Sequence, residues 1–250
     1  GTGSLVCSWD WKDMESCIFP WGLVYPCDLT PKGQFYAYRA ASHVLSQVRI
    51  DYADPRVYVL VADMNELGTR DPQNWQPALR CIDMLLRCGV PFGVLHDTNL
   101  TKLPAAARLV FYPCPFTMTD DTHARLEEFV RKGGILYVSG EVSYDERRQR
   151  TKTTRLETLC GVRDSGVVYL PDAQPEERTT AQPVAAARQA GLAGFPAVPC
   201  VKVTPTTAEV LASLGDGQPV LLLNKLGAGQ VFFCTDPFEY HAETTDKGLY

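Results

Sequence analysis

Between residues 56 and 139, short apolar runs alternate with amphipathic stretches, and this alternation constrains the fold more than any other feature of the chain. Residues 57–62 are continuously apolar up to Asp63, the pattern of a parallel strand covered on both faces. Residues 92–95, 109–112 and 135–139 repeat it. Residues 74–88 place Trp75, Ala78, Leu79, Ile82, Leu85 and Leu86 on one side of a helix that Gly89 stops. Thr119, Asp120 and Asp121 offer caps for a second helix to Arg131, with Leu126, Phe129 and Val130 inward and Lys132-Gly133-Gly134 closing it. Parallel strands need long crossovers, so four strands separated by helices predict an α/β, doubly wound parallel sheet with right-handed connections.

The flanks are organised differently. Residues 34–48 predict a helix, with Phe35, Tyr38, Val44, Leu45 and Val48 at helical spacing behind Pro31. Residues 51–55 form a polar break ending in Pro55, which predicts two domains, 1–54 and 55–250. After Tyr144 a charged stretch, 145–155, leads to a helical turn at 156–160. Strands are expected at 167–170 and 200–203, on either side of a Pro/Ala-rich excursion. Residues 219–224 and 230–235 flank Lys225-Leu226-Gly227-Ala228-Gly229, a hairpin signal that adds an antiparallel extension to the sheet.

Several function classes are excluded. A net charge of -5, with no Lys/Arg stripe interleaved with aromatics, argues against nucleic acid as a partner. No apolar run approaches the roughly 18 residues of a membrane span, and no charged segment leads into a signal-like core, so no membrane partner is expected. The chain opens on Gly1-Thr2-Gly3-Ser4 instead of Met, which fits an excised piece or a partial reading frame, so the missing signal says little about a parent protein. Nine cysteines, an odd and scattered set, predict reduced buried thiols such as Cys81, Cys88, Cys160 and Cys234, and hence a cytoplasmic setting. The spacing of Cys7, Cys17 and Cys27 is not that of a zinc site, and neither a metal nor a cofactor is expected.

Ligands of parallel α/β sheets sit at the carboxyl ends of the strands. Here those ends carry Asp63-Met64-Asn65-Glu66, His96-Asp97, Cys114 and Gly140-Glu141. Ser139-Gly140-Glu141-Val142-Ser143 has only one of the two glycines of a nucleophile elbow, and Cys114 lies between Pro113 and Pro115, which predicts a structural turn cysteine. His241 is expected to pack in a closing loop. Asp10, Asp13 and Glu15 come from one short segment and read as solvated loop carboxylates.

Phe19-Pro20-Trp21-Gly22-Leu23, followed by Thr30-Pro31-Lys32 and Tyr36-Ala37-Tyr38-Arg39, resembles the end of a clan A glycoside hydrolase barrel. The longer, C-terminal part of the chain resembles the trimerisation domain of family 42 beta-galactosidases, a fold akin to class I glutamine amidotransferases. The matching residues are Leu109-Val110-Phe111-Tyr112-Pro113, Leu126-Glu127-Glu128-Phe129-Val130 before Gly133-Gly134, and the closing hairpin of residues 224–236. The resemblance implies that residues 1–54 are the last strand and helix of a (β/α)8 barrel. It implies that residues 55–250 are a flavodoxin-like, amidotransferase-like domain. The implied role is non-catalytic oligomerisation and support of a glycoside hydrolase acting on beta-galactosides or related oligosaccharides. Its implied partners are its own catalytic barrel and further copies, as a trimer.

The family's catalytic carboxylates sit on earlier barrel strands, so no catalytic residue is expected here. In the expected strand at residues 5–11, Trp9 and Trp11 point one way and Asp10 the other. Aromatic faces pack on sugar C–H groups and carboxylates accept from sugar hydroxyls, so Trp9, Asp10 and Trp11 are the candidate carbohydrate-binding residues. A carbohydrate-binding module and a degenerate amidotransferase-like enzyme are the alternative readings. In the latter the nucleophilic Cys expected after residues 135–139 is missing.

Overall fold

A computed structural model of the chain describes residues 11–13, 22–47, 54–62, 76–167, 179–236 and 239. Contacts divide the chain into two compact units, Gly1–Ala53 and Asp54–Tyr250. The described residues of the first unit hold no barrel, but one helix, α1 (Gly33–Gln47), and two isolated bridges, Lys12 with Val24 and Val24 with Pro31. The strand expected at residues 5–11 lies outside the described residues except for Trp11. No residue of α1 is buried, and Val44 and Leu45 are 59% and 46% exposed. The apolar stripe read from the sequence is therefore present but uncovered.

The second unit runs β1 (Val57–Val61), α2 (Gln76–Arg87), β2 (Phe92–His96), a 3-10 segment (Asp97–Lys102), β3 (Leu109–Tyr112), α3 (Asp120–Arg131) and β4 (Ile135–Ser139). It continues with α4 (Thr154–Thr158), β5 (Val162–Val167), β6 (Thr179–Pro183), α5 (Ala185–Gln189) and β7 (Phe195–Ala197). It closes with β8 (Val201–Pro205), β9 (Glu209–Ser213), β10 (Pro219–Leu226) and β11 (Gly229–Cys234). Among the described residues, nine strands form one sheet in the order β2-β1-β3-β4-β11-β10-β9-β6-β7. The first five are parallel and the rest continue it antiparallel, while β5 and β8 form a separate antiparallel ribbon.

Strand alternation decides what each face covers. Leu60, Val110, Tyr112, Leu136, Val138, Val231 and Phe233 share one core with Leu126 and Val130 of α3 and with Leu156 and Leu159 beside the ribbon. Val59 and Phe92 pack on Ala78, Cys81 and Leu85 of α2 in a second core. Each such fully buried aliphatic side chain contributes about 1.5–3 kcal/mol, so these two layers hold the parallel half together. The register sets β3, β4 and β11 level, pairing Tyr112 with Val138 and Ser139 with Cys234, and so brings their carboxyl ends to one edge.

Local signals explain the boundaries of α3. The Thr119 side chain accepts from the Thr122 N–H at 3.0 Å, a cap that contributes about 1 kcal/mol, and Asp120 and Asp121 occupy the positive first turn. Gly133, at φ 103°, ends the helix with its N–H on the Val130 carbonyl at 2.8 Å. In the β10–β11 turn Gly227 adopts φ 62° with the Arg131 backbone alongside, leaving no room for a side chain.

The extension departs from the sequence reading. The strand expected at residues 167–170 is instead β5, Val162–Val167, and residues 168–170 lie outside the described residues. The Pro/Ala-rich excursion contains β6, α5 and β7, and β9 is a further strand beyond those expected from the sequence. These strands are short, and β7, which contains Pro196, sits at the sheet edge, where a missing donor is tolerated. Their pairing supplies the strand character that their side chains lack. Among the described residues no helix is long and apolar enough to cross a membrane.

Candidate functional site

The carboxyl edge of the parallel strands is where a ligand of this fold would bind, and several of its described polar groups are bonded to one another. At the end of β2, Asp97 is 3% exposed and accepts from the Tyr112 hydroxyl at 2.6 Å. Burial, reinforced by the Asp97 charge, holds the Tyr112 phenol well above its ordinary range, so it stays a donor. Beyond β3, Cys114 and Phe116 have φ values of 44° and 52°. That turn aims the Cys114 N–H at the Ser139 Oγ, 3.0 Å away. Ser139, fully buried at the end of β4, donates in turn to Glu239 Oε2 at 3.0 Å.

Glu239 is itself buried, and Arg80 of α2 donates to its backbone carbonyl at 3.1 Å. Burial lifts its carboxyl to about 7, against the opposing effect of hydrogen bonds from Tyr137 and Ser139. The same surroundings push the Cys114 thiol up to about 12, through burial first and then the Glu239 and Asp236 charges. A thiol in that state is not a nucleophile at neutral pH. Ser139 carries a hydroxyl no substrate can reach. Among the described residues, Cys114, Ser139 and Glu239 are thus bonded to one another at this edge, while Glu239 Oε1, Ser143 Oγ and Thr117 Oγ1 are buried there without a hydrogen-bond partner.

The loop after β4 is clamped by two ion networks that the sequence shows only as a charged stretch. Glu141 Oε1 accepts from the Val142 and Ser143 N–H groups at 3.0 and 2.9 Å, and its Oε2 from Arg150 Nε at 2.9 Å. Arg150 also forks onto both Asp164 oxygens at 2.8 and 2.6 Å, tying the loop to β5. Arg155, 3% exposed, donates to Asp120 Oδ1 at 2.7 Å and to the Tyr144 carbonyl at 3.1 Å. Lys152 and Arg155 together lower the Asp120 carboxyl to about 2. No composition or spacing signal marks these pairs, because their partners lie 9 to 35 residues apart.

The remaining expectations divide. Trp9, Asp10, Asp63, Glu66 and His241 lie outside the described residues. Trp11 is 61% exposed, with its ring edge-on to Phe35 at 5.9 Å. Asp13, expected as a solvated carboxylate, is instead buried. Its oxygens take Lys32 Nζ at 2.7 and 2.6 Å and the Gly22 N–H at 2.8 Å, because the bridged segments around Val24 fold over it. Cys81, Cys160 and Cys234 are buried, whereas Cys88 is exposed past the last turn of α2. Among the described residues no group of three or more His, Cys, Asp or Glu is placed to hold a metal.

Fold and site together define an α/β domain of the flavodoxin-like, amidotransferase-like kind whose ligand edge is internally bonded. The model of the beta-galactosidase trimerisation domain matches residues 83–244, and the chain belongs to that family. Its fold is also that of parts of larger solved enzymes. The beta-galactosidase from Rahnella sp. R3 matches with a TM-score of 0.70 and 16% identity, over 92% of this chain and 37% of that one. A GH42 beta-galactosidase from G. stearothermophilus gives 0.69 and 15%, over 93% and 36%. An exo-beta-1,4-mannosidase from Opitutaceae bacterium strain TAV5 gives 0.61 and 15%, over 92% and 41%. The chain therefore spans between 36% and 41% of the length of these proteins. No curated protein sequence matches it.

Proposed function

We propose that this chain supplies the non-catalytic, oligomerising part of a glycoside hydrolase, joining copies as a homotrimer beside its own catalytic barrel. Membership of residues 83–244 in the trimerisation family carries the reading. The carboxyl edge supports it, since buried Ser139 and the protonated Cys114 thiol are poor nucleophiles there. The uncovered stripe of α1 supports assigning residues 1–54 to the end of a barrel and 55–250 to the trimerisation domain, because barrel helices bury such stripes against strands. The parent's substrates are beta-galactosides or related oligosaccharides, and a mannosidase among the similar folds keeps that range broad. The parent works in a reducing compartment, the cytoplasm, where the buried thiols stay reduced. The test is sedimentation equilibrium of the chain together with assays on nitrophenyl beta-galactoside. An oligomer without turnover is expected, whereas a monomer at all concentrations, or turnover lost on mutating Cys114 or Ser139, rejects the reading.

Carbohydrate contact through Trp9, Asp10 and Trp11 is a second reading, favoured by the 61% exposure of the Trp11 ring. A sugar face packing there makes glycan retardation in affinity electrophoresis depend on the ring. Retardation is expected to disappear in Trp11→Ala; unchanged mobility in that variant removes the idea.

A further inference from the structure

A cleft of about 330 Å³ opens between the 3-10 segment and α3. Its floor includes Leu100 and Ala107, buried at 8% and 4%, and the half-buried ring of Phe129. Its rim carries Arg108, Arg125 and Lys132 against the single carboxylate Glu128. Asp121 pairs with Arg125 at 2.7 Å and Glu128 with Lys132 at 2.6 Å, and a cation still remains in excess. The chain as a whole is the opposite, with 29 acidic against 24 basic residues.

The cleft sits on the wrong edge for a small ligand of this fold. Arg108 and Gly134, which line it, immediately precede β3 and β4, so it lies at the amino ends of the strands. Ligands of parallel α/β sheets bind at the carboxyl ends, where Cys114, Ser139 and Glu239 are bonded to one another. An apolar floor with a cationic rim instead has the make-up of a protein contact, with a buried centre inside a polar margin.

We propose that this cleft is a socket for a second copy of the chain. The proposal rests on the oligomerising function above and adds where one copy grips the next. A net-negative copy is attracted to the rim, and the floor gains from excluding water. Association through a cationic rim also weakens as salt screens it.

The experiment is sedimentation equilibrium of the 250-residue chain against two variants, with circular dichroism to establish folding. Arg108→Glu with Lys132→Glu reverses the rim at exposed positions, and Ala105→Trp fills the cleft from another exposed position. A trimeric parent chain is expected, with the dissociation constant raised at least tenfold by each folded variant and also by raising salt in the parent. A trimer that both variants leave within threefold overturns the socket and leaves the proposed function standing. A parent chain that stays monomeric overturns both, whereas a dimer that both variants weaken at least tenfold keeps the socket and overturns the homotrimer.

Discussion

The Ser139 hydroxyl bonds Glu239 across 100 residues of sequence, and it does so while its oxygen also accepts the Cys114 N–H. The end of β4 and the segments following β3 and β11 are thereby joined through one serine. The position that a hydrolase of related architecture would reserve for chemistry serves here as a fastener.

That fastener makes stability depend on pH. Glu239 has a folded-state carboxyl near 7 because burial penalises its charge. The ordinary carboxyl value is about 4.3, so the folded state holds the proton more tightly than the unfolded chain. Stability from this group is complete below about pH 4 and is lost as pH rises through 7. In urea melts the Glu239→Gln variant is expected to lack that decline and to exceed the parent by about 2–3 kcal/mol at pH 8. Parallel pH profiles for the two proteins would contradict the assignment.

Thiol accessibility should separate structural from reactive cysteines. With Cys114 pushed up to about 12, its thiolate fraction at pH 8 is on the order of one part in ten thousand. Iodoacetamide followed by peptide mass spectrometry is expected to label Cys27 and Cys88, which are exposed, well before Cys114, Cys160 or Cys234. Cys114 modified first would revive an amidotransferase-like role.

Arg150 joins the loop after β4 to β5 through Glu141 and Asp164, with Glu141 only 6% exposed on its side chain. Removing the guanidinium strands a buried carboxylate, so Arg150→Ala is expected to cost about 3 kcal/mol in thermal or urea unfolding. Arg150→Lys should recover less than half of that, since one ammonium cannot span both carboxylates as the fork does. Full rescue by Lys would show that only charge matters there.

Gly227→Ala tests the hairpin that closes the sheet. The residue combines φ 62° with the Arg131 backbone against the site of any Cβ. A loss of about 2 kcal/mol or more is expected from the strained dihedral and the displaced turn together. A variant as stable as the parent in differential scanning calorimetry would mean that the turn relaxes freely.

Amino-acid order alone determined four of the five parallel strands, whereas the parallel pairing of β11 with β4 came from the tertiary structure. The runs at residues 57–62, 92–95, 109–112 and 135–139 became β1 to β4, and the caps around Thr119 and Gly133 bounded α3, because periodicity and capping act within a few residues. It likewise determined the lack of an elbow at Ser139-Gly140-Glu141 and the motif order on which the family resemblance rests. Only the tertiary structure decided the antiparallel edge, where β6 and β7 are strands because a neighbour pairs with them. It also decided the state of the ionisable groups: Asp13 is buried with Lys32, Arg150 bridges two carboxylates, and Glu239 is desolvated beside Ser139. Those properties depend on dielectric surroundings and on partners brought together from distant segments, and no local pattern in a chain encodes either one.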